Sequence, residues 1–330
     1  MPDLTRRTLL ASAAATAALA TVTKAQDVLT LPDSLEGKSI LITGTSSGFG
    51  RLMAEDFARK GAKVFATMRN LPRPEADELT ALAETEELDL TVIEIDVTDD
   101  AQVASGVAQA EELAGGAIDV LINNAGISTA GPIEIQDMAA TQLLFDTNVF
   151  GPHRMMRTAL PGMRQAGSGQ IFNVSSQLGR VIVPAFGQYS PTKFALEAMS
   201  EQIAYELVPH NIDVTIIQPG GYPTEIWANA NRLTQGLLDR ADSKHLSGYT
   251  ETVEQLRGRT GGGGGDTDPM DVPNAIAAII AMPPGMRPLR QPVHPGPKPQ
   301  LPINAASRDA QLNWLGSSPY GPWIQAVHAS

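Results

Sequence analysis

Residues 39–50 have the sequence Ser-Ile-Leu-Ile-Thr-Gly-Thr-Ser-Ser-Gly-Phe-Gly, and this stretch decides the fold class of the chain. A short apolar run passes directly into a glycine-rich turn, and a stretch of helical length follows the turn. Glycines suit such a turn because a phosphate can then approach backbone amides at the positive end of a helix without meeting a Cβ. The turn alone is weak support for a nucleotide site, since tight turns need glycine for purely conformational reasons.

From about Lys38, short β-branched runs alternate with longer helical stretches, which is typical of βαβ units. The predicted strands are Ser39–Thr43, Lys63–Thr67, Thr91–Ile95, Val120–Ile122, Gln170–Val174 and Val214–Ile217. The helical stretches between them include Gly50–Lys60, Ala101–Leu113, Ala139–Met163 and Gln188–Val208. Nearly continuous apolar strands indicate a sheet covered on both faces. We therefore expect an α/β fold, a doubly wound parallel sheet of Rossmann type in a single three-layer α/β/α domain over residues 26–293.

The composition excludes several classes of function. The chain has 330 residues, a formal net charge of −12 and no clustered excess of basic residues, which argues against a nucleic-acid partner. It contains no cysteine, so disulfides, thiolate metal sites and thiol nucleophiles are excluded. Its 5 histidines are scattered without metal-ligand spacing, and we expect no metal site.

The first 25 residues have the layout of a signal peptide. Arg6 and Arg7 precede an uncharged stretch, 8–23, that is too short and too mildly apolar for a stable membrane span. Residues 5–10, Thr-Arg-Arg-Thr-Leu-Leu, resemble a twin-arginine export signal, and we place cleavage after Ala25. This predicts a periplasmic or exported protein. A misassigned start codon or a disordered tail, in a cytoplasmic protein, is the alternative.

The chain changes character after Trp227. It becomes polar and then contains five consecutive glycines, Gly261–Gly265, which predict a flexible loop or lid hinge within about 228–268. A disordered insertion without function is the alternative. Five prolines from Pro292 to Pro302 predict that residues 294–330 form an extended, wrapping tail.

Four residues form a candidate proton-transfer site. Tyr189 and Lys193 are four apart on a predicted helix, so both lie on one face. A tyrosine with its ordinary pKa of about 10 is a poor base at neutral pH, and a nearby ammonium favours the phenolate. Ser176 lies 13 residues before Tyr189, and Asn148 lies 41 before it. Each residue alone has a plain structural explanation, as a turn serine, a polar helix residue or an interface aromatic, and only their combination indicates a site.

The glycine spacing and this tetrad resemble those of the short-chain dehydrogenase/reductase family, from about Lys38 to about Val293. The other family motifs follow in order: Asp96-Val97 after the third strand, Asn123-Asn124-Ala125-Gly126 after the fourth, and Pro219-Gly220 after the sixth. The resemblance implies an NAD(P)-dependent oxidoreductase that interconverts an alcohol and a ketone or aldehyde by hydride transfer. Tyr189 would exchange the proton, Ser176 would hold the substrate oxygen, Lys193 would also grip the nicotinamide ribose, and Asn148 would position a water.

The same resemblance implies a set of cofactor contacts along the carboxyl edge of the sheet, where open α/β sheets bind ligands. The implied residues are Gly44, Ser46, Ser47, Gly48, Phe49, Gly50, Arg69, Asp96, Val97, Asn124, Ala125, Gly126, Tyr189, Lys193, Pro219, Gly220 and Thr224.

Cofactor choice depends on the end of the second strand, where an acid would bind an unmodified ribose and a base would meet a 2′-phosphate. Met68 occupies the expected acidic position, and Arg69 and Asn70 follow it. This favours NADP, with NAD as the alternative, because Thr45, Ser46 and Ser47 provide no second base in the glycine turn and Arg69 could be a solvated surface charge.

The substrate pocket is expected to form from loops over Tyr189. Its candidate lining residues are Val181, Val183, Pro184, Phe186, Tyr222 and Trp227, and their apolar character suggests a lipophilic small-molecule alcohol or ketone. The pattern resembles steroid- and retinol-dehydrogenase-like members of the family.

Two alternatives keep the fold but change the function: a non-catalytic nucleotide-binding regulator or scaffold, and an epimerase or dehydratase. The intact tetrad argues against the first, and the short segment after Gly221 argues against the second. Family members often pair through the helices that contain Asn148 and Tyr189, so the oligomeric state is open and a homo-oligomer is one alternative. The proline-rich tail could cover these surfaces.

Overall fold

The computed structural model describes residues 30–259 and 262–329. The proposed export signal lies outside the described residues. Within them, the strands are β1 (Ser39–Thr43), β2 (Lys63–Met68), β3 (Leu90–Glu94), β4 (Val120–Asn123), β5 (Gly169–Val174), β6 (Ile212–Pro219) and β7 (Arg290–Val293). The first six agree with the predicted strands to within two residues at their ends.

Helices connect and follow these strands. They are α1 (Gly48–Arg59), α2 (Pro74–Thr85), α3 (Asp100–Ala114), α4 (Met138–Phe145), α5 (Gly151–Ala166), α6 (Tyr189–Leu207), α7 (Ile226–Arg240), α8 (Ser243–Leu246), α9 (Thr250–Arg257), α10 (Asp271–Ile280), α11 (Leu301–Leu315) and α12 (Gly321–His328). Among the described residues, no helix is long and apolar enough to cross a membrane.

The seven strands form one sheet in the order β3-β2-β1-β4-β5-β6-β7, and every neighbouring pair is parallel. The chain runs outward from β1 to β3 and then returns to place β4 on the other side of β1. The expected Rossmann-type sheet is confirmed. β7 was not predicted, since its Arg-Gln-Pro-Val sequence has a proline that only an edge strand tolerates.

The sheet is covered by helices, as its apolar strands predicted. α3, α5 and α6 pack a large apolar cluster, which includes Val107, Met155 and Ile171, against the sheet. α1 contacts β1, β2 and α10. Because neighbouring strands are parallel, the carboxyl ends of β1, β4, β5 and β6 lie at one edge of the sheet, where the glycine turn and the tetrad also lie.

Three predicted segments differ from the structure. The single helix predicted over Ala139–Met163 is divided by a π-helical turn, Asp146–Phe150, which contains Asn148. The segment predicted as a loop over about 228–268 is largely helical, because α7 and α9 bury apolar faces that the polar composition conceals. The extended tail predicted for residues 294–330 contains α11 and α12, and its prolines lie before and in the first turns of these helices, where a proline needs no amide hydrogen.

Candidate active site

The glycine turn lies between β1 and α1 and is shaped for a ligand that approaches the backbone. Gly44 has φ +72°, and a Cβ there would lie 2.9 Å from the Cα of Ala125. At Gly50 a Cβ would overlap the carbonyl oxygen of Gly44. The side chain of Ser47 makes no capping hydrogen bond at the start of α1, so the first helix amides point into the site without that partner. This is the donor set that binds phosphate groups at helix N-termini.

The turn after β4 supports the glycine turn. Asn124 Nδ2 donates to the carbonyl oxygens of Thr43 and Gly44, at 2.9 and 3.2 Å. The amides of Asn124 and Ala125 both donate to Thr43 Oγ1, each at 3.0 Å. The Asn-Asn-Ala-Gly turn therefore fixes the backbone that a nucleotide would contact.

A smaller cavity continues from the glycine turn past the ends of β2 and β3. Arg69, Arg73, Asp96 and Val97 line it together with Met68. Arg73 makes a two-pronged ion pair with Glu75, at 2.9 Å through both Nε and Nη2, whereas Arg69 lies 3.7 Å from Asp96 and its side chain is 46% exposed. Arg69 is therefore the more available cation here, and Arg73 was not identified from sequence because the loop after β2 separates it from Arg69.

The main cavity encloses about 420 Å³ and contains most of the residues expected from the sequence. Those that line it are Gly44, Ser46, Ser47, Gly48, Phe49, Arg69, Asn124, Ala125, Gly126, Ser176, Tyr189, Lys193, Pro219, Gly220 and Thr224. Asp96 and Val97 line the smaller cavity instead. Gly50 and Asn148 line neither, because Gly50 packs behind the turn and Asn148 is fully buried.

Three elements bring the tetrad together. Ser176 follows the end of β5, Tyr189 and Lys193 occupy the first turns of α6, and Asn148 lies in the π-helical turn before α5. A π-helical turn changes the rotation of the helix, and such turns are frequent at functional sites. Tyr189 and Ser176 are each 8% exposed, and Lys193 is 5% exposed.

Asn148 acts on the backbone of the neighbouring turn. Its Nδ2 donates to the Ile127 carbonyl oxygen at 2.9 Å and to Thr192 Oγ1 at 3.1 Å, and its Oδ1 accepts from the Ile127 amide at 2.9 Å. These bonds tie the turn after β4 to the helix that contains Tyr189. Asn148 therefore fixes the distance between the two sides of the site.

The two titratable groups of the tetrad are shifted in opposite directions by burial. Burial raises the pKa of Tyr189 to about 12, with the hydrogen bond to Ser176 opposing this shift. Burial lowers the pKa of Lys193 to about 8, and the negative charge of Glu197 opposes that shift. The expected lowering of the Tyr189 pKa is thus not present. Lys193 Nζ is 5.7 Å from the ring centroid and donates to the Val174 carbonyl oxygen at 2.9 Å.

The far end of the main cavity is apolar. Val183, Phe186, Tyr222 and Trp227 line it as predicted, whereas Val181 and Pro184 do not. The residues lining the main cavity that sequence analysis missed are Ile127, Ser128, Thr147, Val174, Ser175, Gln177, Leu178, Gly221, Ile226, Asn229 and Ala230. The last three lie on α7, most of which falls in the segment predicted as a loop, so no helix was expected there.

Trp227 is held by the glycine-rich segment. Its Nε1 donates to the Tyr222 carbonyl oxygen at 2.8 Å. A Cβ at Gly263 would lie 2.6 Å from the indole ring, and one at Gly264 would overlap the backbone of Tyr222. At Gly263 and Gly264, glycine is therefore required for close packing, which is a different reason from the flexibility that the sequence suggested.

Comparisons with known proteins agree with this geometry. A family model described as short chain dehydrogenase matches residues 38–234. Retinol dehydrogenase 8 of Homo sapiens is 39% identical over 57% of this chain, and the match spans only 60% of that protein. A short-chain dehydrogenase from Streptomyces avermitilis is 30% identical, with a TM-score of 0.63, over 84% of this chain and 95% of that one. A gluconate 5-dehydrogenase from Burkholderia cenocepacia J2315, solved with NADP and tartrate, is 26% identical, with a TM-score of 0.55, over 68% and 87%.

Replacement of Lys193 tests the cost of its burial. The pKa of Lys193 in the folded state is about 8, below the ordinary 10.5, so burial of the ammonium lowers the free energy of unfolding. This free-energy cost is full below pH 8 and disappears as the pH rises towards 10.5. At about 1.4 kcal/mol per pKa unit the cost is about 3 kcal/mol, and losing the bond to Val174 offsets about 1 kcal/mol. Lys193→Met should raise the free energy of unfolding at pH 7 by about 2 kcal/mol, as measured by urea denaturation.

This gain should shrink when the denaturation is repeated at pH 9.5, because the wild-type lysine is then largely neutral in the folded state. Lys244→Met is the control, since the Lys244 side chain is 69% exposed and should give no gain at either pH. A Lys193→Met protein that is less stable than wild type at pH 7 would contradict the assignment of a burial cost to this ammonium.

Proposed function

The chain belongs to the short chain dehydrogenase family, and we propose that it interconverts an alcohol and the corresponding ketone or aldehyde, with NAD(P) as the hydride carrier and Tyr189 as the general acid and base. The observation that supports this most strongly is the convergence of Tyr189, Ser176 and Lys193 in a cavity continuous with the glycine turn. The cradle of uncapped helix amides fits the phosphates of a nicotinamide nucleotide, which the solved relative from Burkholderia cenocepacia contains.

A bound nicotinamide nucleotide supplies or accepts the hydride at the carbonyl carbon. In reduction, the neutral phenol of Tyr189 donates its proton to the substrate oxygen, and the product is the alcohol. Its raised pKa suits the donor role, because the phenol is fully protonated at neutral pH. In oxidation the proton moves the other way.

The other members of the tetrad hold charges and positions. Ser176 donates to the substrate oxygen and keeps it near the Tyr189 hydroxyl. The Lys193 ammonium stabilises the phenolate that forms when Tyr189 loses its proton, and it holds the ribose hydroxyls. Asn148 keeps the turn after β4 in place and positions a water that reconnects Tyr189 to solvent.

The remaining cofactor contacts divide between the two cavities. The amides of Ser47, Gly48 and Phe49 would hold the phosphates, and Asp96 and Val97 would hold the adenine. Ala125 and Gly126 would contact the nicotinamide ribose, and Pro219, Gly220 and Thr224 would contact the nicotinamide end. A Cβ on Gly126 would lie 3.6 Å from Lys193 Nζ, so the ribose and the ammonium would share this space.

NADP is the preferred cofactor in this proposal. Met68, at the end of β2, is buried and offers no carboxylate to an unmodified ribose. Arg69 is available for a 2′-phosphate, with Arg73 beside it. A guanidinium binds phosphate through charge-assisted hydrogen bonds.

The substrate is a neutral, lipophilic alcohol or ketone. Of the described residues that line the main cavity, only Arg69 and Lys193 carry a charge, and both belong to the cofactor end and the tetrad. The far end therefore has no cation to pair with a carboxylate, unlike a site for a sugar acid. Retinol dehydrogenase 8, by name, acts on a lipophilic alcohol, which agrees with this proposal.

Replacement of Tyr189 tests the reaction. The wild-type chain should oxidise NADPH with neutral lipophilic ketones, followed at 340 nm, and should turn over keto acids of the same size at least tenfold more slowly. Tyr189→Phe should lower kcat by about 10²- to 10⁴-fold, because the proton donor is lost, while NADPH fluorescence still reports binding.

Tyr249→Phe is the matched control, because Tyr249 bonds to Glu134 at the surface and does not line the main cavity. It should keep the wild-type rate. Nucleotide binding without turnover of any carbonyl by the wild type, or unchanged turnover in Tyr189→Phe, would favour the non-catalytic regulator instead.

Replacement of Arg69 tests the cofactor preference. Arg69→Ala should raise the KM for NADPH by about 10- to 100-fold, the value of one charged hydrogen bond, and leave the KM for NADH unchanged. Arg73→Ala, which removes a guanidinium already paired with Glu75, should have a smaller effect. An equal loss with both cofactors would show that Arg69 acts on the fold and not on the phosphate.

We also propose that the chain is exported in folded form through the twin-arginine route. In a bacterium with this pathway, the full-length protein should appear in the periplasmic fraction with its first 25 residues removed, as measured by mass spectrometry. Replacing Arg6 and Arg7 together by lysine should retain it in the cytoplasm, and Lys24→Gln should not. Identical fractionation of all three proteins would refute this route.

A further inference from the structure

A buried group of charges lies directly behind the tetrad. Glu197 follows Lys193 by four residues on α6, so it lies one turn further along the same face, and its side chain is 2% exposed. Arg290, on β7, is 6% exposed and pairs with Glu197 through Nε at 2.8 Å and with Glu201 through Nη2 at 2.6 Å. These three residues are here called the α6–β7 charge cluster.

The carboxylate of Glu197 is held from both sides. One oxygen accepts from Arg290, and the other accepts from Gln218 Nε2 at 2.8 Å. Gln218 is in turn held by Asn304 of α11, whose Nδ2 donates to Gln218 Oε1 at 2.8 Å. The carboxylate therefore has no freedom to turn away from the helix face that it shares with Lys193.

Stability alone does not account for this arrangement. The attraction within a buried ion pair is little larger than the free energy needed to remove its charges from water. Apolar residues of similar volume often stabilise a protein as much as such a pair does. Within the α6–β7 charge cluster, two carboxylates share one guanidinium, and the half-buried Arg180 interacts electrostatically with all three members. Glu197 is the member next to Lys193, one helical turn away on α6.

We propose that Glu197 is a positioning residue for the reaction proposed above: Arg290 and Gln218 fix its carboxylate on the helix face of Lys193, where its charge keeps that lysine in the ammonium form beside Tyr189. The inference rests on the proposed function only for its effect on the rate. The electrostatic coupling of the two side chains is a property of the protein without substrate.

The environment of Lys193 makes this charge necessary. Burial lowers the pKa of Lys193 to about 8, and Glu197 is the charge that raises it. Loss of that carboxylate would lower the pKa of Lys193 further and increase its neutral fraction, and a neutral amine cannot stabilise a phenolate.

Other groups also face Lys193 or the α6–β7 charge cluster. On its own helix, Tyr189 precedes it, and on β5 the neutral carbonyl of Val174 accepts its hydrogen bond. Arg180, which follows the turn after β5, donates to the Ile303 carbonyl oxygen at 3.4 Å and interacts electrostatically with Glu197 and Arg290. His328 of α12 lies at the opposite end of the cluster, 3.8 Å from Glu201.

The test compares Glu197→Gln with Glu201→Gln. Both variants keep the side-chain shape and remove one carboxylate from Arg290, so both should lower the melting temperature to a similar degree. Glu201 lies a second turn from Lys193, about 6 Å further along the helix than Glu197. The matched pair therefore separates loss of the cluster from loss of the charge next to Lys193.

The first readout needs no turnover. With lysine labelled at ¹³Cε and Lys193→Met used to assign its resonance, NMR titration of the cofactor-free full-length chain should show the Lys193 midpoint about one pH unit lower in Glu197→Gln, a tenfold change in the ratio of ammonium to amine. In Glu201→Gln it should move by less than about a third of that, because the interaction weakens with distance. The basic limb of the kcat profile should shift with the NMR midpoint.

An unchanged Lys193 midpoint in Glu197→Gln, or equal shifts in the two variants, would overturn the proposal even if the enzyme is active. A lowered midpoint with no turnover in any variant would instead count against the proposed function.

If Glu197→Gln does not fold, Arg290→Gln leaves the Glu197 carboxylate without its guanidinium and should raise the Lys193 midpoint. A lower or unchanged midpoint in Arg290→Gln would overturn the proposal as well.

Discussion

The close approach of two turns at the centre of the sheet is the constraint on which the site depends. Gly50 packs against the Gly44 carbonyl so tightly that no side chain fits, and Asn124 bonds to the same stretch of backbone. β1 and β4 are neighbours there although α1, β2, α2, β3 and α3 lie between them in the chain. Such a reversal of strand order leaves a crevice at the carboxyl edge, and every polar group of the site is at or beside it.

The second constraint is electrostatic. The site keeps an ammonium in a nearly dry position, where burial opposes the charged form, and this must be balanced by fixed dipoles and charges. The Val174 carbonyl meets Lys193 from β5, and the Glu197 carboxylate lies behind it on α6. Burial favours the neutral form of Tyr189 as well, and there the hydrogen bond to Ser176 opposes it. The same burial thus acts on both groups, but only the lysine carries a charge that burial destabilises.

The sequence predicted those features that depend on local patterns. Apolar runs predicted the first six strands, and fixed spacings pointed to the candidate tetrad of Asn148, Ser176, Tyr189 and Lys193. It did not predict features that depend on tertiary packing. α7 is amphipathic in a polar sequence, and Asn148 lies in a π-helical turn that looks like ordinary helix. The Glu197–Arg290 pair joins residues 93 apart, and no spacing rule connects them.

The C-terminal segment shows why the boundary of a sequence motif is not the boundary of a site. The family match ends at residue 234, yet Arg290, Asn304 and His328 all lie beyond it. Arg290 pairs with Glu197, Asn304 orients Gln218, and His328 bonds to Tyr205 on α6 at 2.8 Å. Three separate elements after the match thus hold the one helix on which Tyr189 and Lys193 lie. Since a charge one helical turn from Lys193 acts on it directly, a change in how these elements pack on α6 changes the chemistry of the site without touching the tetrad.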